Sequence, residues 1–401
     1  MGKSNNTAKN NTRNYGLDML RCIAMLMVVI LHYLDKGGVL TSLSSGDPFT
    51  GKDYAAWFLE ALCIVAVNLY MLMSGYLLSD SDFKLSRILS LVAKIWLYSV
   101  IVGFIGIAFK LPAEPVDTYF KLRLLLPVSM NTYWFMTAYV FFYLLVPVLG
   151  IAARAMSKEQ IKLLLGGLIF FHVVIKTVVP AQLTGDAGGM DAMWYIILFF
   201  VAVYIKRYTE YGKAGKGTGS SAKAAITGVI CYVAGAALIF GEAMVLRNIW
   251  LKTGSFSYVL NMSYAYNHVL VLVTSVALFG AFLSFRPGEK VGRVFKFLGK
   301  YSLGVYLLHE NLSLRYAWEK WLGSDKISSA IGVFGFAVFA AIIVFVAGVI
   351  IDLCGSFAAY LLLGRLKVTP GFKTIYQLIK KADRVFAGGR AGNVNGEEDG
   401  R

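Results

Sequence analysis

Tyr15-Gly16-Leu17-Asp18-Met19-Leu20-Arg21-Cys22-Ile23-Ala24-Met25-Leu26-Met27-Val28-Val29-Ile30-Leu31-His32-Tyr33-Leu34 decides how the rest of the chain is read. Twenty residues rising about 1.5 Å each reach about 30 Å, enough to cross the hydrocarbon core of a bilayer. The run nevertheless carries an aspartate, an arginine and a histidine, each costly against lipid. Arg21 and His32 lie eleven residues apart, about three turns plus 20°, so they share one face with about 16 Å between them along the axis. Asp18, one turn before Arg21, joins that stripe and offers it a pairing partner. One polar stripe on an otherwise apolar helix predicts a protein or water interior on that side.

The whole chain agrees with a membrane setting. It has 401 residues, 57% of them hydrophobic, and a mean hydropathy of +0.63, outside the usage of soluble globular domains. Its four cysteines, Cys22, Cys63, Cys231 and Cys354, all fall in apolar runs and read as small core residues rather than disulfides or metal ligands. The first fourteen residues are polar and no small-residue cleavage site follows the apolar run, so the first span is expected to be retained.

About ten apolar segments follow one another, near 16–33, 55–78, 85–109, 133–153, 161–179, 193–205, 224–243, 258–285, 298–318 and 327–363. The expected fold is therefore all-α, a polytopic bundle of about ten transmembrane helices. Lys and Arg concentrate in alternate loops, among them Lys84 and Arg87, Lys206 to Lys223, and Arg286 to Lys300. That bias places both termini in the cytoplasm. The net charge of +16 is thus a topology signal, and no nucleic-acid partner is expected.

The predicted organisation is a polar cytoplasmic tail (1–14), a membrane domain (15–366), a basic amphipathic cytoplasmic segment (367–387) and a disordered tail (388–401). In the amphipathic segment Phe372, Ile375, Tyr376, Ile379 and Phe386 share a face ringed by Lys373, Lys380, Lys381 and Arg384, which suits an anionic membrane surface. The Gly/Ser/Lys stretch 211–222 reads as a flexible joint.

His32 is the leading candidate for chemistry, because a histidine can act as general base near neutral pH. An interfacial histidine bonded to a neighbouring helix is the alternative. Arg21 suits a phosphate or carboxylate, or else snorkels. His309 and Glu310 fall about halfway along the ninth segment, and a glutamate at that depth marks either function or an interhelical hydrogen bond. Lys84 and Arg87, three residues apart, are expected on one helix face where phosphate could be held, or they merely flank the span. Lys94 follows two to three turns on. Trp134 and His309 are candidate substrate contacts, although Tyr133-Trp134-Phe135 also fits an interfacial aromatic belt. His172, Lys176 and His268 are weaker candidates. Asn68, Ser74 and Gly75 suit close helix packing.

The Arg-x10-His pattern from Arg21 to His32 resembles the signature of the acyltransferase-3 family of bacterial membrane O-acyltransferases. The runs 68–76 (NLYMLMSGY), 133–135 (YWF) and 304–309 (GVYLLH) support it in order and spacing. The resemblance spans about 14–366 and implies transfer of acetyl, or another short acyl group, from acetyl-CoA (acyl-CoA) to a hydroxyl of a cell-surface carbohydrate or glycolipid at the bacterial plasma (inner) membrane. It implies His32 as catalytic base, Glu310 as the residue orienting or charge-balancing it, and Arg21 and Arg87 as cofactor-binding residues. Lys84-x-x-Arg87 departs from the family's Arg-x-x-Arg form at Lys84. No metal is expected, and neither the esterase-like nor the racemase domain of some relatives is expected. The rival readings are a glycan-precursor transporter or flippase using the same cavity, and a ligand-binding membrane protein without turnover.

Overall fold

The computed structural model describes residues 13–179, 187–215, 222–255, 257–366 and 370–387. Among these there is no strand. The helices are α1 (Tyr15–Lys36), α2 (Gly51–Cys63), α3 (Ala66–Leu78), α4 (Leu85–Ala108), α5 (Thr118–Leu125), α6 (Trp134–Ala155) and α7 (Lys158–Ile169). Then come α8 (Ala192–Tyr208), α9 (Glu210–Gly215), α10 (Ala222–Thr253), α11 (Val269–Ser284), α12 (Glu289–His309), α13 (Trp318–Trp321), α14 (Ala330–Leu366) and α15 (Pro370–Ala387). The chain is an all-α polytopic membrane bundle.

Among the described residues eight helical segments are long and apolar enough to cross a membrane, with α2 and α3 counting as one. The other two expected segments are helices of a different kind. The sixth is α8, 17 residues long and buried on nearly every side from Trp194 to Ile205, as befits a helix apolar all round. The ninth is α12, which opens with Lys290, Arg293, Lys296 and Lys300 and ends at His309 rather than running on to 318. Asn311 ends it: its side-chain oxygen accepts from the Ser313 amide at 3.0 Å, and its side-chain nitrogen donates to the Tyr98 carbonyl and the Tyr133 hydroxyl at 3.1 Å each. A side chain offering the backbone a local partner in this way competes with helix continuation. Glu310 therefore caps α12 instead of lying mid-helix.

α1 sits inside the bundle, packed against α12, α14, α3 and α2. Asn14 caps it, accepting from the Gly16 amide at 2.9 Å. Close helix approach depends on small residues, since lipid offers no hydrophobic drive between helices. Gly75 illustrates this: a Cβ there would stand 2.9 Å from the Phe199 Cα, so α3 and α8 meet backbone to backbone. The outward faces of α10 and α14 expose Ile226, Ile230, Leu238, Ile342, Val346 and Ile350, apolar surfaces suited to lipid.

Three expectations change. Asp18 pairs with Arg13, two contacts of 2.7 Å, and not with Arg21, because Arg13 precedes the helix and folds back over its first turn. Lys94 donates to Asp352 of α14 at 2.7 Å, beside the Tyr98 hydroxyl at 2.9 Å from the same carboxylate. In the stretch 211–222, residues through Gly215 belong to α9, where Tyr211 packs on Gly280, while 216–221 lie outside the described residues. The tail 388–401 and residues 1–12 also lie outside them. α15 is a helix over much of the basic amphipathic segment, docked to the start of α4 through Ser86, whose hydroxyl donates to Asp383 at 2.8 Å.

Candidate active site

A cavity of about 380 Å³ runs along the polar stripe of α1. Arg21, Met25, Val28 and His32 line it at successive helical turns, the face that the 3.6-residue period brings together. Arg87 of α4, Trp134 of α6 and Lys300 of α12 also reach its wall.

Toward one end stand Arg21, Arg87 and Lys300. Among the described residues no carboxylate pairs with any of them. A guanidinium on a membrane cavity wall without a counter-ion is expensive, and such a cluster suits a polyanionic ligand. The position of Arg21 is fixed from behind, where the Tyr70 hydroxyl donates to its carbonyl at 2.9 Å.

The other end is built by His32. Its Nδ1 lies 2.9 Å from His309 Nε2 and 3.3 Å from Glu310 Oε1. His309 Nδ1 lies 2.6 Å from the Val305 carbonyl, one turn back on α12. The Lys36 ammonium closes on the same Glu310 oxygen, and Arg315 donates to the carbonyls of Glu310 at 3.2 Å and Thr132 at 2.9 Å. Glu310 is 3% exposed and His309 2%. Nε2 of His32 is the ring nitrogen left without a partner among the described residues.

Aromatic rings make the wall between the two ends. Trp134 stacks on Tyr266, centroids 5.7 Å apart and planes 26° apart, an offset-stacked aromatic pair. Asn68 sets the Tyr266 ring in place: its nitrogen donates to the Tyr266 carbonyl and its oxygen accepts from Trp194 Nε1, both at 2.8 Å.

The site therefore gathers Arg21, His32, Arg87 and Trp134 on one cavity, with Glu310 and His309 directly behind His32. Lys84 stands apart. It precedes α4 in extended conformation, φ −134° and ψ 114°, so it does not share a helix face with Arg87, and it does not line the cavity. His309 lies behind His32 rather than on the cavity surface. His268 caps α11 and lies 3.4 Å from Glu242.

The donor atoms of His32, His309 and Glu310 lie within 4.8 Å of one another, a spacing compatible with a metal ion. The two ring nitrogens, however, face each other in a hydrogen bond, and an ammonium already holds the carboxylate. The arrangement reads as a hydrogen-bonded relay.

A family profile described as an acyltransferase domain matches residues 14–360. The chain belongs to the acyltransferase-3 family. Searches of curated proteins and of solved structures returned no match.

Sequence reasoning missed three residues of this acyltransferase's site. Lys36 lies one turn beyond His32 on the same face, a spacing that was legible. Lys300 belongs to the stripe Gly299, Ser302, Leu303 and Tyr306 that α12 turns to the cavity, also a periodic signal. Tyr266 sits in an irregular stretch, held at the wall by Asn68 on its carbonyl and by its amide on the Gly188 carbonyl at 2.9 Å, contacts that no period announces.

Proposed function

We propose that this membrane acyltransferase moves an acetyl, or another short acyl, group from a CoA thioester to a hydroxyl of a cell-surface or exported carbohydrate. The observation that carries the reading is one cavity with three cations toward one end that no carboxylate among the described residues pairs with, and a histidine nitrogen without a partner among those residues about 16 Å along the helix from the first of them. Arg21, Arg87 and Lys300 bind the phosphates of the donor. The cavity holds the long arm that joins those phosphates to the thioester, and the Trp134–Tyr266 face receives the sugar.

His32 Nε2 takes the proton of the acceptor hydroxyl as its oxygen attacks the thioester carbonyl. The carbon–sulfur bond breaks, and the same nitrogen returns the proton to the departing thiolate. The products are an ester and a free thiol, with no net proton released. Glu310 offsets the imidazolium charge during the step, and Lys36 keeps that carboxylate ionised and in place. General base catalysis of this kind contributes about 10²–10⁴-fold. The Lys and Arg bias of the loops supports a cytoplasmic cation end, on the side of the membrane where CoA is found.

The test is label transfer from radiolabelled acetyl-CoA by protein in lipid nanodiscs, wild type against folded His32→Ala. Transfer by wild type that is lost in the variant supports the reading. Undiminished transfer by His32→Ala overturns the base, and absence of donor binding to wild type overturns acetyl-CoA as the donor. A glycan transporter using the same cavity would lose the polymer when disabled, whereas loss of the transferase keeps the polymer and removes its acyl groups.

A further inference from the structure

We infer that His309 is a positioning residue that fixes the tautomer of His32. The inference rests on the reading of His32 as base. It follows from a chain of three hydrogen-bonding groups: the Val305 carbonyl, His309 and His32.

A carbonyl oxygen only accepts. His309 Nδ1, 2.6 Å from the Val305 carbonyl, therefore carries a proton. In a neutral imidazole the other nitrogen is then a bare acceptor. His309 Nε2 is that acceptor, and the group 2.9 Å from it is His32 Nδ1. His32 Nδ1 must donate, which leaves the lone pair of His32 on Nε2, toward the cavity that His32 lines. A doubly protonated His309 would reverse the direction, but it would place a fully buried cation beside the half-buried Lys36 and Arg315, which already attend Glu310.

Glu310 alone would not do this work. At 3.3 Å from His32 Nδ1 and already held by Lys36, its oxygen is the more distant of the two acceptors. The division of labour is that His309 selects the neutral tautomer before the reaction and Glu310 answers the charge during it. His309 is itself immobilised: Trp318 Nε1 donates to its carbonyl at 3.2 Å, and the indole packs on its ring with centroids 5.7 Å apart. A wrong tautomer in a comparable His relay costs about 10⁴-fold in kcat.

The chain has four histidines, few enough for direct observation. Protein labelled with 15N-histidine in nanodiscs, with His32 and His309 assigned by His32→Gln and His309→Gln, is read by NMR for which ring nitrogen bears the proton near neutral pH. The expected result is a proton on Nδ1 and a bare Nε2 in both. A bare Nδ1 in His32, or two protons on His309, overturns the inference.

Kinetics give a second readout. His309→Phe keeps the ring shape and loses the acceptor, and its kcat is expected to fall at least about tenfold with the donor KM unchanged. His309→Gln, whose amide reaches the Nε2 position, should recover more than His309→Asn. Wild-type turnover by His309→Phe overturns the role. Activity retained in His32→Ala would instead remove the base itself, an outcome separate from the tautomer reading.

Discussion

Glu310 Oε1 stands 3.3 Å from His32 Nδ1 and at the same time receives the Lys36 ammonium. One carboxylate oxygen thus ties His32 of α1 to the end of α12. Its depth makes the charge, not only the shape, consequential. Glu310→Gln keeps the volume and removes the charge that answers the imidazolium. Its kcat is expected to fall about 10²-fold, the lower range of general base catalysis. The KM for acyl-CoA should stay within about twofold, since Arg21, Arg87 and Lys300, the cations proposed to hold the donor, do not touch Glu310. Steady-state kinetics in nanodiscs decides it.

Arg21 lines the cavity without a carboxylate partner among the described residues. A hydrogen bond to a charged group contributes about 1.5–3 kcal/mol, or about 10–10²-fold in affinity. Arg21→Ala should raise the dissociation constant for acyl-CoA by that factor. Arg21→Lys should restore part of it, because an ammonium keeps the charge and loses the planar fork. Calorimetric titration of nanodisc-held protein measures both, and unchanged affinity in Arg21→Ala would remove Arg21 from the donor site.

Much of the bundle was legible because a bilayer leaves few options. Every backbone group must be satisfied within helices, so long apolar runs read directly as spans. The Arg21–His32 stripe was legible for the same reason, as polar residues at one helical phase have to face inward. Three things were not. The stop of α12 at His309 depends on Asn311 finding Tyr98, Ser313 and Tyr133, partners that no period announces. The exchange of Asp18 to Arg13 and of Lys94 to Asp352 depends on which neighbour folds nearer. Lys84 looked equivalent to Arg87 by spacing, but a helical spacing applies only inside a helix, and α4 begins one residue later.

The Lys94–Asp352 pair makes a stability prediction. Asp352 is 2% exposed, accepts from Tyr98 as well as Lys94, and joins α4 to α14. Removing Asp352 leaves the half-buried Lys94 ammonium, 28% exposed, and the Tyr98 hydroxyl without their shared partner, at a cost of about 1–3 kcal/mol. Asp352→Ala should lower the midpoint of thermal unfolding in detergent by several degrees. Adding Lys94→Met should return most of the loss, because the stranded charge goes with it. If the double variant is no better than the single one, the cost comes from packing.

Glu319 supplies a pH prediction. It lies in α13, outside the spans; it is fully buried, and among the described residues no other residue donates a hydrogen bond to its carboxylate. Burial pushes its carboxyl up to about 8 against the lowering pull of its own backbone amide and of Lys36, with Glu310 and Asp35 adding to the rise. An acid whose folded value lies above its unfolded one binds more protons when folded. Its contribution is therefore most favourable below the ordinary carboxylate range, near 4.5, and declines as pH rises toward about 8. Glu319→Gln removes the titration and keeps the shape of the protonated acid. The variant should match wild type in thermal midpoint near the low end of that window. It should exceed wild type by a few degrees at its upper end, with the gap opening progressively between. A gap of constant size across the window would mean that Glu319 contributes through shape alone.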